Sequence, residues 1–545
     1  MSNKVLFSYE KWFFYLLLAL WLTPVWTVGF IVTGDGPCHL YNSRLLLDWM
    51  QGNDVDMYRY FMVPNPHLDP NWLTNLIQVP LLLFFDPAIA EKIFYTIYVL
   101  GFAFGFRMLI KQINPNSLFI SSVGLLFIWH HIVFKGFSNN TLSIAVWFWI
   151  VAVWMQHRGS PIWKAVLYQM ILGLIGYLAH PMGFIYSGLM IACILVGDTV
   201  FHSRKSGLKA GIAYFKKHIF RLVLAYIPSL ILMIKFIMRR SWSGEGSGYN
   251  NEVWTNLITM PALVDFHGKE EVLAISVSVG CIILLLYAIL NKLKLRTLKK
   301  NDGVFLFFAV TLYTIIFPPS SMLGGLDVPR RLTMLPFIAI LFCVAMQSWN
   351  KKFQVTALIL TTIISLSFLF IRLPIQWQVS KYVQEIVSCK DSIAPRSTML
   401  TLNYDVTPRN IAGDEIINRE WINVHSDAYI GAYKPLVLGN NYELNFDYFP
   451  FLGKGETNFY FHSSIDGIIF ESQPPRADFQ GYKDKTGIQI DYVMVTGLDE
   501  IYRDHEYTKE IMLQLNRDYD KVYTSPNGIA VLYRHKLGFT NQWEK

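Results

Sequence analysis

The chain has 545 residues, of which 53% are hydrophobic and only 16% charged, and its formal net charge is +8. Soluble proteins carry about 25% charged residues, so the composition excludes a purely soluble enzyme, a fibrous protein and a disordered one. The charge deficit is confined to residues 1–371, which contain long apolar runs, whereas residues 372–545 have the composition of a water-exposed domain. We therefore predict an α-helical polytopic membrane domain over 1–371 and a soluble α/β domain over 372–545.

Eleven apolar runs are long enough to predict membrane helices. They lie near 12–31, 92–110, 117–134, 141–156, 164–181, 183–201, 219–238, 271–291, 304–317, 332–348 and 355–371. The first run has no small-residue cleavage site after it, so it predicts a retained span and not a signal peptide. The segment Asn71–Phe85 is apolar but short, and it contains Pro80. Three structures are therefore open for it: a re-entrant segment, an interfacial segment or a true membrane span. The predicted number of spans is accordingly 11 to 13.

Basic residues gather in the short loops 107–115, 157–164, 202–218, 291–302 and 350–352. Positive loops mark the cytoplasmic face, so the N-terminus is predicted inside and the C-terminal domain outside. The same loops account for the net positive charge, and we predict no nucleic-acid partner. The long outer loops are then 32–91, 239–270 and 318–331. The first contains an amphipathic segment, Cys38–Gln51, suited to lying along the membrane surface with its apolar face in lipid.

The C-terminal domain has mixed helix and strand signals. Helices are predicted at 377–388 and 504–516, strands at 397–403 and 488–496, and a hairpin at 522–533 that turns at Ser525–Gly528. Its aromatic-rich stretch, Tyr442–Phe461, suits either core packing or the stacking of sugar rings.

The sequence Thr33-Gly34-Asp35-Gly36-Pro37-Cys38-His39 follows the first predicted span and opens the amphipathic segment. Pro37 suits a first helical turn, which places Asp35 just before a helix N-terminus, where a carboxylate stays ionised. Such a group at the membrane surface can accept a proton from an incoming hydroxyl, and His39 is four residues further on. The alternative is that Asp35 only caps the helix.

Six basic residues fall at the outer ends of predicted spans, against the positive-inside trend. They are Lys135, Lys235, Arg239, Arg240, Arg330 and Arg331. Because arginine forks match phosphate geometry, we predict that Arg330 and Arg331 hold a lipid phosphate, with Lys235, Arg239 and Arg240 as further candidates. The alternative is that these side chains snorkel to the lipid headgroups. His180, between two predicted spans, is a further binding candidate.

No spacing typical of a zinc site, a calcium site or a phosphate-binding Gly-rich loop is present in the sequence. We therefore predict no cofactor, and no residue pattern indicates a divalent metal.

Five stretches resemble the GT-C class of polytopic glycosyltransferases, which includes the dolichyl-phosphate-mannose mannosyltransferases and bacterial lipid-linked sugar transferases. These stretches are GDGPCHLYNSRLL with Asp35 and His39, NPHLDPNWLTNLIQ (65–78), FKGFSNNTLSIAVWFW (134–149), LAHPMGF (178–184) and DVPRRLTMLPFIAIL (327–341). Many such enzymes have two adjacent acidic residues after the first span, whereas Asp35 is followed by Gly36. The resemblance implies a catalytic base at Asp35, a donor phosphate held by Arg330 or Arg331, and a place in the bacterial inner membrane. It further implies a polyprenyl-phosphate sugar as the donor and a lipid or glycan acceptor on the outer face.

Two other classes fit part of the pattern. A polytopic transporter or lipid-linked glycan flippase also has many spans, but the sequence shows no inverted repeat, and its polar residues concentrate in the outer loops. A non-catalytic surface assembly factor would use the C-terminal domain as a binding module, for which the stretch Tyr442–Phe461 is suitable.

Overall fold

A computed structural model describes residues 3–240, 249–318, 327–410, 414–417 and 419–539. Parts of two predicted outer loops, 239–270 and 318–331, lie outside the described residues.

Among the described residues, the first 387 positions are mostly helical. Their helices are α1 (Asn3–Trp26), α2 (Gly36–Gln51), α3 (Val55–Tyr58), α4 (Leu73–Leu82), α5 (Pro87–Ile113), α6 (Phe119–Gly124), α7 (His131–Phe134), α8 (Ser138–Gln156), α9 (Ile162–Ala179), α10 (Pro181–Ser206), α11 (Leu208–Met238), α12 (Val253–Thr259), α13 (Glu271–Leu295), α14 (Gly303–Ile316), α15 (Val328–Leu332), α16 (Leu335–Ala345) and α17 (Lys351–Val387). Within the described residues, eight helical segments are long and apolar enough to cross a membrane, and α4 and α14 are shorter apolar helices. The predicted polytopic membrane protein is confirmed.

The predicted span 117–134 is not one helix. It is divided into α6, short 3₁₀ turns and α7, with extended backbone at His130 (φ −111°, ψ 163°). Side chains from other elements satisfy the carbonyls that the break frees: the Tyr98 hydroxyl donates to Ile128 at 2.7 Å, and Arg372 donates to Trp129 at 2.8 Å. Irregular backbone is tolerated at membrane depth when protein surrounds and satisfies it.

The apolar segment 71–85 forms α4, whose ten residues are too few to span a bilayer. Its polar side chains Thr74, Asn75 and Gln78 are buried, whereas Leu76 and Phe84 are exposed. The Ser43 hydroxyl donates to Gln78 at 2.8 Å. The polar side of α4 therefore faces α2, while Val79 and Leu82 pack into the core and Leu76 is exposed.

The C-terminal part contains a five-stranded mixed sheet in the order β3-β2-β5-β7-β6. Its strands are β2 (Ser397–Asn403), β3 (Leu436–Leu438), β5 (Tyr492–Thr496), β6 (Tyr519–Thr524) and β7 (Ala530–His535), with β1 (Met62–Pro64) and β4 (Phe451–Gly453) in a separate two-stranded sheet. The helices of this part are α18 (Ala428–Tyr433), α19 (Phe459–His462), α20 (Phe479–Thr486), α21 (Glu500–Arg503) and α22 (Glu506–Asp518). β2 lies parallel to β3 and β5, and the hairpin of β6 and β7 closes the other edge antiparallel. The predicted α/β character is confirmed.

The first outer loop and the C-terminal part share one hydrophobic core. Tyr41 and Leu45 of α2 are buried in the same cluster as β2, β3 and β5. Strand β1 pairs with β4, Asn42 and Asn441 exchange two hydrogen bonds of 2.9 Å, and the Tyr41 hydroxyl donates to Leu436 at 2.7 Å. The amphipathic helix α2 was expected to place its apolar face in lipid; instead protein covers most of it, on the membrane side and on the C-terminal side alike.

Candidate active site

Asp35 is held in place through its backbone. The amide of Gly34 donates to the Phe134 carbonyl at 2.9 Å, and the amide of Asp35 donates to the Lys135 carbonyl at 3.0 Å. Gly136 comes next with φ +85°, a conformation that suits glycine. A Cβ added at Gly136 would lie 2.8 Å from the Asp35 Cα atom and closer still to the Asp35 amide nitrogen. The absence of a side chain at 136 thus permits the close approach of the two loops.

Asp35 stands at the N-cap position of α2, but its side chain makes no capping hydrogen bond. This removes the alternative reading of Asp35 as a simple cap. Burial raises the pKa of Asp35 to about 6, against the opposing effects of the positive charge of His39 and a hydrogen bond from Tyr442. A carboxyl of this kind is mostly ionised at neutral pH, yet it is basic enough to accept a proton from a reacting hydroxyl.

Beside Asp35, His39 pairs with Glu443 of the C-terminal part. The Nδ1 atom of His39 lies 2.5 Å from Oε1 of Glu443, and both side chains are buried. Burial alone would lower the pKa of His39, but the charge of Glu443 and this hydrogen bond outweigh it and raise the pKa above its ordinary value. The resulting imidazolium favours the ionised form of Asp35.

Two more residues of the C-terminal part surround the Asp35 carboxyl. The Nε2 atom of His425 lies 3.8 Å from Oδ1 of Asp35, and the rings of His425 and Tyr442 stack with centroids 4.8 Å apart. Burial lowers the pKa of His425 to about 3, so this imidazole is neutral at pH 7. The carboxyl is therefore enclosed by two imidazoles, that of His39 with a raised pKa and that of His425 with a lowered pKa.

A first cavity of about 280 Å³ opens beside Asp35. Its walls come from the first outer loop, the ends of α8 to α11, α15 and the C-terminal part. The lining residues are Asp35, His39, Asn71, Phe137, Asn139, Asn140, His180, Pro181, Phe236, Arg331, His425, Tyr442, Phe446, Tyr448 and Phe449.

Arg331 contributes a guanidinium to the wall of this cavity. Its guanidinium lies 4.2 Å from the centre of the Phe137 ring, and its Nη1 atom lies 3.2 Å from Nε2 of His180. Its Nε atom is buried without a hydrogen-bond partner, and among the described residues no carboxylate lies within 4 Å of Arg331. A partly buried cation without a carboxylate partner suits an anionic ligand.

The contact between Arg331 and His180 also favours an anion. The amide of Met182 donates to Nδ1 of His180 at 3.1 Å, so the neutral ring carries its hydrogen on Nε2. Two N–H groups therefore face each other. Because the two nitrogens are only 3.2 Å apart, a phosphate oxygen that lies beside the pair, within hydrogen-bond distance of both, would accept a hydrogen bond from each.

A second cavity of about 450 Å³ meets the first at Asp35 and Phe137. Its remaining lining residues are Phe134, Lys135, Arg330, Arg419, Glu420, Trp421 and Val424. Arg330 lies 3.8 Å from Asp327 and 3.8 Å from Glu420, while Lys135 pairs with Asp327 and Arg419 with Glu271. The carboxyl of Asp35 thus stands in the wall between two cavities of different charge.

Three of the predicted phosphate-binding residues line neither cavity. Arg239 pairs with Asp69, and Arg240 lies 2.5 Å from Asp447 with its guanidinium 4.7 Å from the Tyr448 ring. Lys235 is exposed. Arg239 therefore connects the end of α11 to the first outer loop, and Arg240 connects it to the C-terminal part.

Sequence reasoning missed His425 and Glu443, which are distant along the chain and stand in no recognisable motif. The aromatic stretch Tyr442–Phe461 was the available signal. The structure divides it, since Tyr442, Phe446, Tyr448 and Phe449 line the first cavity, whereas Phe451 and Phe459 pack in the core.

Within the described residues, no group of three His, Cys, Asp or Glu side chains is arranged to hold a metal ion.

The fold is similar to that of ArnT, whose structure has been solved. ArnT from Cupriavidus metallidurans in the apo state matches with a TM-score of 0.52 and 11% identity, covering 98% of each chain. The Archaeoglobus fulgidus oligosaccharyltransferase, in complex with zinc and sulfate, matches with a TM-score of 0.44 and 12% identity, covering 96% of this chain and 73% of that one. No family model matches the sequence, and no curated protein matches it. Since ArnT is a GT-C glycosyltransferase, the predicted GT-C fold is confirmed.

Proposed function

We propose that the protein is an integral membrane glycosyltransferase that moves a sugar from a polyprenyl-phosphate donor to a hydroxyl of a lipid or glycan acceptor. One observation carries the proposal: Asp35 lies in the wall shared by two cavities, one of which contains an arginine, Arg331, that has no carboxylate partner among the described residues. A base between a phosphate site and an acceptor site is what transfer of a glycosyl group requires.

The first cavity would hold the phosphate of the donor. Arg331 and Nε2 of His180 donate hydrogen bonds to its oxygens, and Oδ1 of Asn140, which has no hydrogen-bond partner among the described residues, is available for a sugar hydroxyl. The aromatic rings of Tyr442 and Phe449 provide faces for the sugar ring. The sequence predicted that Arg330 binds the same phosphate, but Arg330 lines the second cavity beside Asp35. We therefore assign it to the acceptor site in this proposal.

The reaction would be a displacement at the anomeric carbon. The bond from the acceptor oxygen to C1 forms while the bond from C1 to the phosphate oxygen breaks. The acceptor proton passes to the Asp35 carboxylate, and the electron pair of the broken bond leaves with the polyprenyl phosphate. Arg331 stabilises the negative charge that develops on this leaving group, while His39 is a positioning residue that holds Asp35 ionised.

The proposed location is the bacterial inner membrane, with the N-terminus inside and both cavities on the outer side. The positive short loops at the opposite end of the helices support this orientation.

The decisive experiment uses the full chain in lipid nanodiscs with polyprenyl-phosphate and polyprenyl-diphosphate sugars, and measures release of sugar from the lipid. We expect release from the monophosphate donors, and its loss in Asp35→Asn while binding of the donor persists. Asp427→Asn is a matched control, because burial also raises the pKa of Asp427 to about 6 and Asp427 lines neither cavity. Full activity of a folded Asp35→Asn protein contradicts the role of the base. Movement of intact sugar-lipid across vesicles without any release supports a flippase instead.

A further inference from the structure

The second cavity differs from the first in how its charged groups are arranged. Each of its cations faces a carboxylate: Lys135 faces Asp327, Arg419 faces Glu271, and Arg330 stands between Asp327 and Glu420. The Asp35 carboxylate adds further negative charge. A phosphate entering this cavity would meet carboxylates already opposing every cation, in contrast to the situation at Arg331.

Trp421 gives this cavity an aromatic face. Its side chain is 66% exposed, although its neighbours Glu420 and Ile422 are buried. Its backbone packs against the loop of Asp35, since a Cβ added at Gly34 would lie 3.2 Å from the Trp421 carbonyl oxygen. The indole of Trp421 is therefore exposed, while the backbone of Trp421 packs against Gly34, next to Asp35.

Paired charges around an open aromatic face fit one class of ligand. A sugar ring presents C–H groups that pack on an indole, and its hydroxyls both donate and accept hydrogen bonds, so they can bridge carboxylates such as Glu420 and cations such as Arg330. The volume of about 450 Å³ is in the range of small-molecule sites.

We propose that the second cavity binds the acceptor through an uncharged saccharide unit, whose ring stacks on Trp421 and whose hydroxyl points to Asp35. This inference rests on the proposed function, since it names the acceptor of the same reaction. Glu420 and Arg330 hold the neighbouring hydroxyls, and the C-terminal part, through Trp421, selects the acceptor.

The test compares Trp421→Ala, Trp421→Phe and Phe461→Ala in the full chain in nanodiscs. Phe461 is the matched control, because its side chain is also 66% exposed and it lines neither cavity. The probes are methyl and octyl glycosides and the same sugars carrying a phosphate group. Binding is measured by saturation-transfer NMR without any donor, and KM for the acceptor is measured with a polyprenyl-phosphate sugar.

We expect neutral glycosides to bind, the acceptor KM to rise at least about tenfold in Trp421→Ala, and most of the affinity to persist in Trp421→Phe. The Phe461→Ala protein should match the wild type. Unchanged glycoside binding in Trp421→Ala, or acceptance of the phosphorylated sugars alone, overturns the inference. If glycosides bind through Trp421 but no donor releases its sugar, the saccharide site stands and the proposed transferase function fails.

Discussion

The Nδ1 atom of His39 lies 2.5 Å from Oε1 of Glu443, although 404 positions separate the two residues in the chain. This buried pair joins the first outer loop to the C-terminal part next to Asp35. Because the charge of Glu443 raises the pKa of His39, and the charge of His39 lowers the pKa of Asp35, the C-terminal part helps to determine the ionisation of the proposed base.

The pH dependence of transfer should report Asp35. Burial raises the pKa of Asp35 to about 6, and only the ionised carboxylate accepts a proton, so kcat/KM should fall as pH decreases through about 6. A pH series of sugar transfer in nanodiscs measures this acid limb. Asp405→Asn is the control, since burial raises the pKa of Asp405 to about 6 as well, while that residue lines neither cavity. If the fall of kcat/KM at low pH disappears in Asp405→Asn, the fall reports the titration of Asp405 and not that of Asp35.

Replacing Glu443 by Gln should move the acid limb to higher pH. The substitution keeps a hydrogen-bond acceptor for His39 but removes the charge that raises the pKa of His39, so His39 becomes neutral and Asp35 loses a stabilising cation. The direct repulsion between Glu443 and Asp35 acts in the opposite direction, and it is the smaller effect. The profile of kcat/KM against pH distinguishes this outcome from simple loss of structure, which lowers activity at every pH. A shift of the acid limb to lower pH would contradict the proposed coupling.

Gly136→Ala should reduce kcat by roughly 100-fold, the cost of misplacing a catalytic group by about 1 Å. The residue has φ +85°, and a Cβ there collides with the backbone of Asp35. Gly52→Ala is the matched control, because Gly52 has φ +77° and open space around its Cβ position. The control should lose about 1–2 kcal/mol of stability and keep its activity. Equal kcat values for the two variants would show that the close approach at residue 136 does not position Asp35.

Arg331→Met should weaken donor binding by about 10- to 150-fold, the equivalent of one charge-assisted hydrogen bond worth about 1.5–3 kcal/mol. The dissociation constant of a polyprenyl-phosphate sugar in nanodiscs measures the effect. Arg59→Met serves as control, since Arg59 is an exposed cation that lies over an aromatic ring, that of Trp49, outside both cavities. Comparable loss of affinity in the two variants would exclude Arg331 from the phosphate site.

Local patterns predicted most of the elements but few of the contacts in the site. The strand at 397–403 and a hairpin at 522–533 were predicted from alternation and turn residues; the structure contains the strand as predicted, and a hairpin whose strands are Tyr519–Thr524 and Ala530–His535. Asp35, His39, His180 and Arg331 carry charge or a titratable ring at the ends of apolar runs, a signal that single-sequence reasoning detects. Tyr442 and Glu443 lie in the C-terminal part, where polar and aromatic residues are ordinary, so only the fold places them beside Asp35.

The predicted span 117–134 shows why periodicity alone is insufficient in a membrane. Its hydropathy is that of a helix, but the carbonyls of Ile128 and Trp129 receive hydrogen bonds from Tyr98 and Arg372, and this removes the need for a continuous helix. The donors lie on α5 and α17, far from the segment in sequence. Arg239 and Arg240 illustrate the same limit, because their partners Asp69 and Asp447 belong to other loops.

The pairing of β1 with β4 has a consequence for the synthesis of the protein. Met62 is made early but finds its partner Gly453 only when most of the chain exists. At a translation rate of about 5–20 residues per second, the interval is on the order of 20–80 s. Throughout it, the segment that bears Asp35 lacks the strand, the imidazole of His425 and the carboxylate of Glu443. In the proposed mechanism, Asp35 therefore gains these neighbours only after the C-terminal part has been synthesised.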